Sequence, residues 1–86
     1  MPKQVLISVY DTVAEYFAAP RMFRNRAEAI RSFEVAVNNS SDGYGQHPES
    51  FVLYQVGEFD ENSGNVTCEE VGIVEKGINL VRKENQ

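Results

Sequence analysis

The chain is poor in the residues that make and break bonds. Its 86 residues include one cysteine and one histidine. With Cys68 alone, no internal disulfide can form and no thiolate zinc cluster can assemble. With His47 alone, a histidine-based metal site has to recruit acids from elsewhere or a second subunit. Long apolar runs are also missing, since nothing approaches the roughly 18 to 20 residues that span a bilayer. The start, Met1-Pro2-Lys3-Gln4-Val5, lacks the basic region and long apolar stretch of a signal peptide. A small chain without disulfide staples suits a reducing cytosol better than secretion, so a cytoplasmic location without membrane contact is expected.

Positive charge is scarce as well. The net charge of −5 argues against non-specific nucleic-acid binding, which is driven mostly by phosphate neutralisation. The charge is unevenly spread, however. Residues 1–39 carry Lys3, Arg21, Arg24, Arg26 and Arg31 against Asp11, Glu15, Glu28 and Glu34. The rest carries only Lys76, Arg82 and Lys83 among many acids, so a near-neutral half with an arginine cluster precedes an acidic half.

What is present describes a small folded domain. A content of 42% hydrophobic and 24% charged residues is ordinary for a globular protein and too apolar for a disordered one. So short a chain builds one modest core, and self-association is a common way for small scaffolds to make up the shortfall. We expect a single α+β domain over residues 1–81 and a frayed tail at 82–86.

Gln4 to Tyr10 alternates with a period of two and reads as a strand, ended by a turn at Asp11-Thr12. Glu15 to Phe23 is interrupted by Pro20 and is expected as an irregular edge strand returning beside the first. Asn25 is a good N-cap, and Glu28 follows at the spacing from which its carboxylate reaches back to the cap's amide. From there Ala29, Ile30, Phe33, Ala36 and Val37 share one helical face, with Arg31, Glu34 and Asn38 opposite. Ser40 to Ser50 reads as a polar loop. Phe51 to Phe59 is a second strong strand, with Phe51 and Leu53 on one face and Val52, Tyr54 and Val56 on the other. Asp60 to Gly64 is a hairpin loop with glycine where a left-handed residue is needed. Asn65 to Val71 returns as a polar strand, and Gly72 to Val81 fits either a short strand or a helical turn. The expected architecture is a small antiparallel sheet of four strands, in the order ββαββ, with one amphipathic helix packed on one face.

No enzyme signature emerges, and no cofactor or metal is expected. His47 precedes Pro48 in a polar loop, where a solvent-exposed or turn-fixing role is the simpler reading. Cys68 adjoins Glu69 and Glu70, whose carboxylates disfavour the thiolate a nucleophile needs. The pairs Asp60/Glu61 and Glu69/Glu70 read as solvated charge on a turn and an exposed strand. One cluster suggests binding. Arg21, Arg24, Arg26 and Arg31 surround the start of the helix, with Tyr16, Phe17 and Phe23 nearby in sequence. Arginine forks grip phosphates, aromatic rings stack on unpaired bases, and a helix N-terminus favours an anion. The alternative is that the aromatics belong to the core and the arginines form a solvated rim or pair with Glu15, Glu28 and Glu34.

Three segments together resemble the small nonstructural protein of the microviruses, in their gokushovirus branch. They are Ser8-Val9-Tyr10-Asp11, Arg26-Ala27-Glu28-Ala29-Ile30-Arg31-Ser32-Phe33, and the block from His47-Pro48-Glu49 to Gly64. That family of bacteriophage proteins is likened, by genome position, to the phage protein that favours single-stranded genome synthesis over further duplex replication. The resemblance implies a non-enzymatic viral accessory of DNA replication or packaging in the bacterial host cytoplasm. Its expected partners are phage or host replication and packaging proteins, or single-stranded DNA. The alternative is a homo-oligomeric adaptor without nucleic-acid binding. In that case Leu6 and Tyr10, with one row of the Phe51 to Phe59 strand, form an apolar patch that a partner covers.

Overall fold

The computed structural model describes residues 3–39, 41, 43–68 and 71–82. Two long antiparallel strands form its centre: β1 (Lys3–Asp11) and β4 (Phe51–Asp60), paired along their whole lengths from Lys3 opposite Asp60 to Asp11 opposite Phe51. On the outer side of β1 lie β2 (Tyr16–Phe17) and β3 (Arg21–Phe23), and on the outer side of β4 lie β5 (Val66–Thr67) and β6 (Gly72–Lys76). The molecule is therefore α+β, with one antiparallel sheet and one main helix, α1 (Arg26–Val37).

Among the described residues the sheet has six strands, not the expected four, and the element order is three strands, helix, three strands rather than ββαββ. The physical reason is that each outer lane is broken into two pieces. Ala18, Ala19 and Pro20 interrupt the lane beside β1, because proline has no N–H to give the ladder. The gap is bridged by other means. The amide of Ala18 donates to the carbonyl of Val9 at 2.8 Å, and the buried Ser8 hydroxyl donates to the Ala18 carbonyl at 2.6 Å. The lane beside β4 is broken between Thr67 and Gly72, so the polar return strand is far shorter than its sequence suggested.

Helix α1 forms as its sequence dictates. Asn25 Oδ1 accepts from the Glu28 amide at 2.9 Å, while Glu28 Oε1 accepts from the Arg24 amide at 2.9 Å, one residue earlier than the expected capping box. The helix buries Ala29, Phe33 and Val37 against Ile7 and Leu53 of the central strands. Val5, Val9, Phe23, Phe51, Val74 and Leu80 pack around this core, all from the sheet face that α1 covers or from its rim.

The segment expected as a loop before β4 holds two short helical pieces, α2 (Gly43–Gln46) and a 310 turn at Pro48–Ser50. They form because Tyr44 packs edge-on against both Phe33 and Phe51, with centroids at 5.7 and 4.7 Å, and draws the segment onto the core. Gly72 to Val81, left open between strand and helical turn, is both in succession: β6, then a 310 turn at Gly77–Leu80. Arg82, expected in the tail, is tied to α1 by its amide, which donates to Asn38 Oδ1 at 2.7 Å. The rest of the expected tail, 83–86, lies outside the described residues. Among the described residues no helix is long and apolar enough to cross a membrane.

Candidate binding surfaces

The four arginines singled out from the sequence all lie on the surface of the segment from β3 through the first turns of α1, and all are exposed. They do not converge on a single cleft. Arg21 sits with its guanidinium carbon 5.4 Å from the centre of the Phe23 ring, beside a cleft of about 120 Å³ between α1 and the broken outer lane. Arg26 donates through Nε to Gln55 Oε1 at 2.6 Å, reaching from the helix start to β4. There it joins Lys3, Glu58 and Cys68 around an open groove of about 560 Å³ of mixed charge. Arg31 lines a shallow depression with Asn25, Ala27 and Glu28.

Two of the three acids that were candidates to neutralise this cluster are engaged elsewhere. Glu28 caps the backbone ahead of α1, Glu34 faces Arg82 at 3.8 Å, and Glu15 sits in the β1–β2 turn. Among the described residues none of Arg21, Arg24, Arg26 and Arg31 makes an ion pair.

The aromatics named with the arginines divide. Phe23 packs on the core under α1, whereas Phe17 belongs to the opposite face of the sheet. On that face Phe17, Tyr10 and Tyr54 form one ring cluster, with centroids 4.6, 6.0 and 5.2 Å apart and interplanar angles of 50 to 75°. Register fixes their neighbours: Leu6 lies opposite Met22, Ser8 opposite Tyr54, Tyr10 opposite Val52, and Tyr54 opposite Ile73. Leu6 and Tyr10 were legible as one row and Val52 and Tyr54 as another, and the register is what puts the two on one face. Phe17, Met22 and Ile73 were not legible, because the register of broken outer lanes leaves no periodic signal. Val56, read as part of the second row, falls out of it. A bulge between Leu6 and Ile7 pairs these with Gly57 and Gln55 and leaves Val56 without a partner.

His47 and Cys68 are not brought together. His47 lines a depression with Phe51 at one end of β4, its Nδ1 3.7 Å from Glu49. Cys68 is exposed just after Thr67, which pairs with Glu58 near the other end. At the rise of an extended strand those ends are about 20 Å apart. Among the described residues no group of three or more His, Cys, Asp or Glu side chains is placed to hold a metal ion. The Glu69/Glu70 pair lies outside the described residues.

No curated protein and no solved structure matches the chain. A family model described as Phage ORF5 protein does match it, over residues 4–80. That span takes in every strand but the first residue of β1, the whole of α1, and both surfaces described above. The chain therefore belongs to the Phage ORF5 protein family.

Proposed function

We propose that this phage protein is a non-enzymatic accessory that acts by binding, promoting single-stranded viral DNA synthesis or packaging in the host cytoplasm. Its contacts are single-stranded DNA or the phage and host proteins that handle it, and the surface is the arginine segment 21–31. The observation that supports this reading most is that, among the described residues, none of the four exposed arginines makes an ion pair, while two of their candidate acidic partners are committed to a helix cap and to Arg82. The separation of His47 from Cys68 along β4 supports a role without covalent chemistry.

Anisotropy of a labelled single-stranded oligonucleotide, titrated with protein at low salt, tests the DNA contact. The expected result is weak binding that falls steeply as salt rises, with a log–log slope of about −3 if four phosphates are neutralised. The double variant R24E/R26E is expected to abolish it while leaving the circular dichroism unchanged. An absence of affinity at low salt would remove DNA from the reading and leave the arginines to an acidic protein surface.

A further inference from the structure

The sheet face turned away from α1 lies outside the core cluster beneath α1 and carries none of the four arginines. We propose that it is the interface of a homodimer, in which two sheets pack face to face and each α1 lies on the outside. An antiparallel sheet with one wet face alternates apolar and polar residues along its strands. The middle of β1 does not: Val5, Ile7 and Val9 face α1, while Leu6 and Tyr10 face away, with only the small, buried Ser8 between them. A strand apolar on both sides asks for a layer on both sides.

The outer lanes extend the patch. Phe17, Met22 and Ile73 lie on it and are 45%, 47% and 53% exposed, large values for such side chains in a monomer. Four lanes about 4.8 Å apart, over some six residues of β1, give a patch of roughly 400 Å² in projection. That is about half of the roughly 800 Å² per partner that a standard interface buries, so the contact must also take in the rim of the face. The core beneath α1 is small, with Ile7, Ala29, Phe33, Val37 and Leu53 as its buried cluster, so a second buried layer adds substantially to stability.

Charge selects the occupant. The chain has a net charge of −5, so two copies repel across most of their surfaces. From the Leu6 row to the Tyr10 row this face carries no acidic residue; its one charge is Lys76, in the outer β6 lane opposite Val52, so the middle of the patch meets an identical copy without carboxylate repulsion. The three rings pack at steep angles to one another, which suits interdigitation with a second apolar face better than parallel stacking of bases. An isologous two-fold contact needs only a surface complementary to itself.

Sedimentation or light scattering of the full chain across a concentration series tests this. The wild type is expected to give twice the 9.7 kDa chain mass at micromolar to millimolar concentration. Phe17→Glu and Ile73→Glu, each placing repelling charges at the two-fold contact, are expected to give monomers with unchanged circular dichroism. Ile73→Ser keeps the question answerable if a glutamate variant does not fold, and a dimer Kd raised about tenfold or more is expected. A wild-type monomer throughout the series overturns the proposal and leaves the face to a different protein. A dimer whose Kd ignores Ile73→Ser, or that survives both folded glutamate variants, overturns it too, because association would then use another surface. Neither Phe17 nor Ile73 belongs to the arginine segment, so this test and the DNA titration fail separately.

Discussion

Asp11 and Asp60 close the same turn at the ends of the two central strands. Asp11 Oδ1 accepts from the amides of Val13 and Ala14 at 3.0 and 3.1 Å, and its carbonyl accepts from Glu15 at 2.7 Å. Asp60 Oδ1 accepts from Asn62 and Ser63 at 2.9 and 3.4 Å, and its carbonyl accepts from Gly64 at 2.8 Å. In each turn the fifth residue is left-handed, with φ of 63° at Glu15 and 76° at Gly64. Only the second turn has glycine there. A side chain in that region costs about 1 kcal/mol. Glu15→Gly is therefore expected to stabilise the protein by somewhat under 1 kcal/mol, since glycine also loosens the unfolded chain, and Gly64→Ala to destabilise it by about 1 kcal/mol. Urea denaturation of the two variants checks the opposite signs.

The same pair explains what the sequence revealed of the fold. Asp60 to Gly64 announced a hairpin because glycine stood at the left-handed position, and β4 was bounded to within one residue. Asp11 to Glu15 is the same device with a glutamate in that place, so the turn at Asp11-Thr12 and the return beside β1 were legible but the left-handed fifth residue was not. Helix α1 was legible because Asn25, Glu28 and the Ala29–Phe33–Val37 stripe agree on one answer. The outer strands β2, β3 and β5 were not legible as separate pieces, because two- and three-residue strands take their conformation from the ladder beside them rather than from their own pattern. Of the two surfaces, the arginines could be named from sequence, and so could the commitment of Glu28 to the cap, but that of Glu34 to Arg82 appears only in three dimensions.

Asn38 shows a different limit of the sequence. By helical spacing it lies opposite the apolar stripe, yet it staples the end of α1 to the C-terminal turn. Its Nδ2 donates to the carbonyls of Glu34 at 2.8 Å and Leu80 at 2.9 Å, and its Oδ1 takes the Arg82 amide. Removing three partly shielded hydrogen bonds is worth about 2 kcal/mol. Asn38→Ala is expected to lower stability by about that amount, read from thermal or urea unfolding. It should also raise hydrogen exchange at the Arg82 amide in particular.

The rings of Phe17 and Tyr54 lie 5.2 Å apart although β1 runs between their strands, so they meet over the small side chain of Ser8. Aromatic pairs of this kind are worth about 1 kcal/mol beyond the area they bury. A double-mutant cycle of Phe17→Ala and Tyr54→Ala is expected to return a coupling of that order. The cycle should be run at a fixed protein concentration, since both residues also lie on the proposed dimer face. Additive effects would show that the rings do not touch in solution.

Gly77 stands where the C-terminal turn crosses the entry to β4, and it is buried. A Cβ built there falls 2.5 Å from the Pro48 carbonyl oxygen and 3.0 Å from that of Phe51, both backbone atoms that cannot swing aside. The ring of Phe33 closes the third side at 3.5 Å. A methyl group can enter only if the 310 turn at Pro48–Ser50 or the turn at Gly77–Leu80 is displaced from the core, at a cost of about 1 to 3 kcal/mol. Gly77→Ala is thus expected to be clearly destabilising, whereas Gly43→Ala, which meets nothing within 4 Å, is expected to be close to neutral. Comparing the urea midpoints of these two variants separates steric crowding from the loss of glycine's flexibility, since both remove a glycine but only one removes a required vacancy.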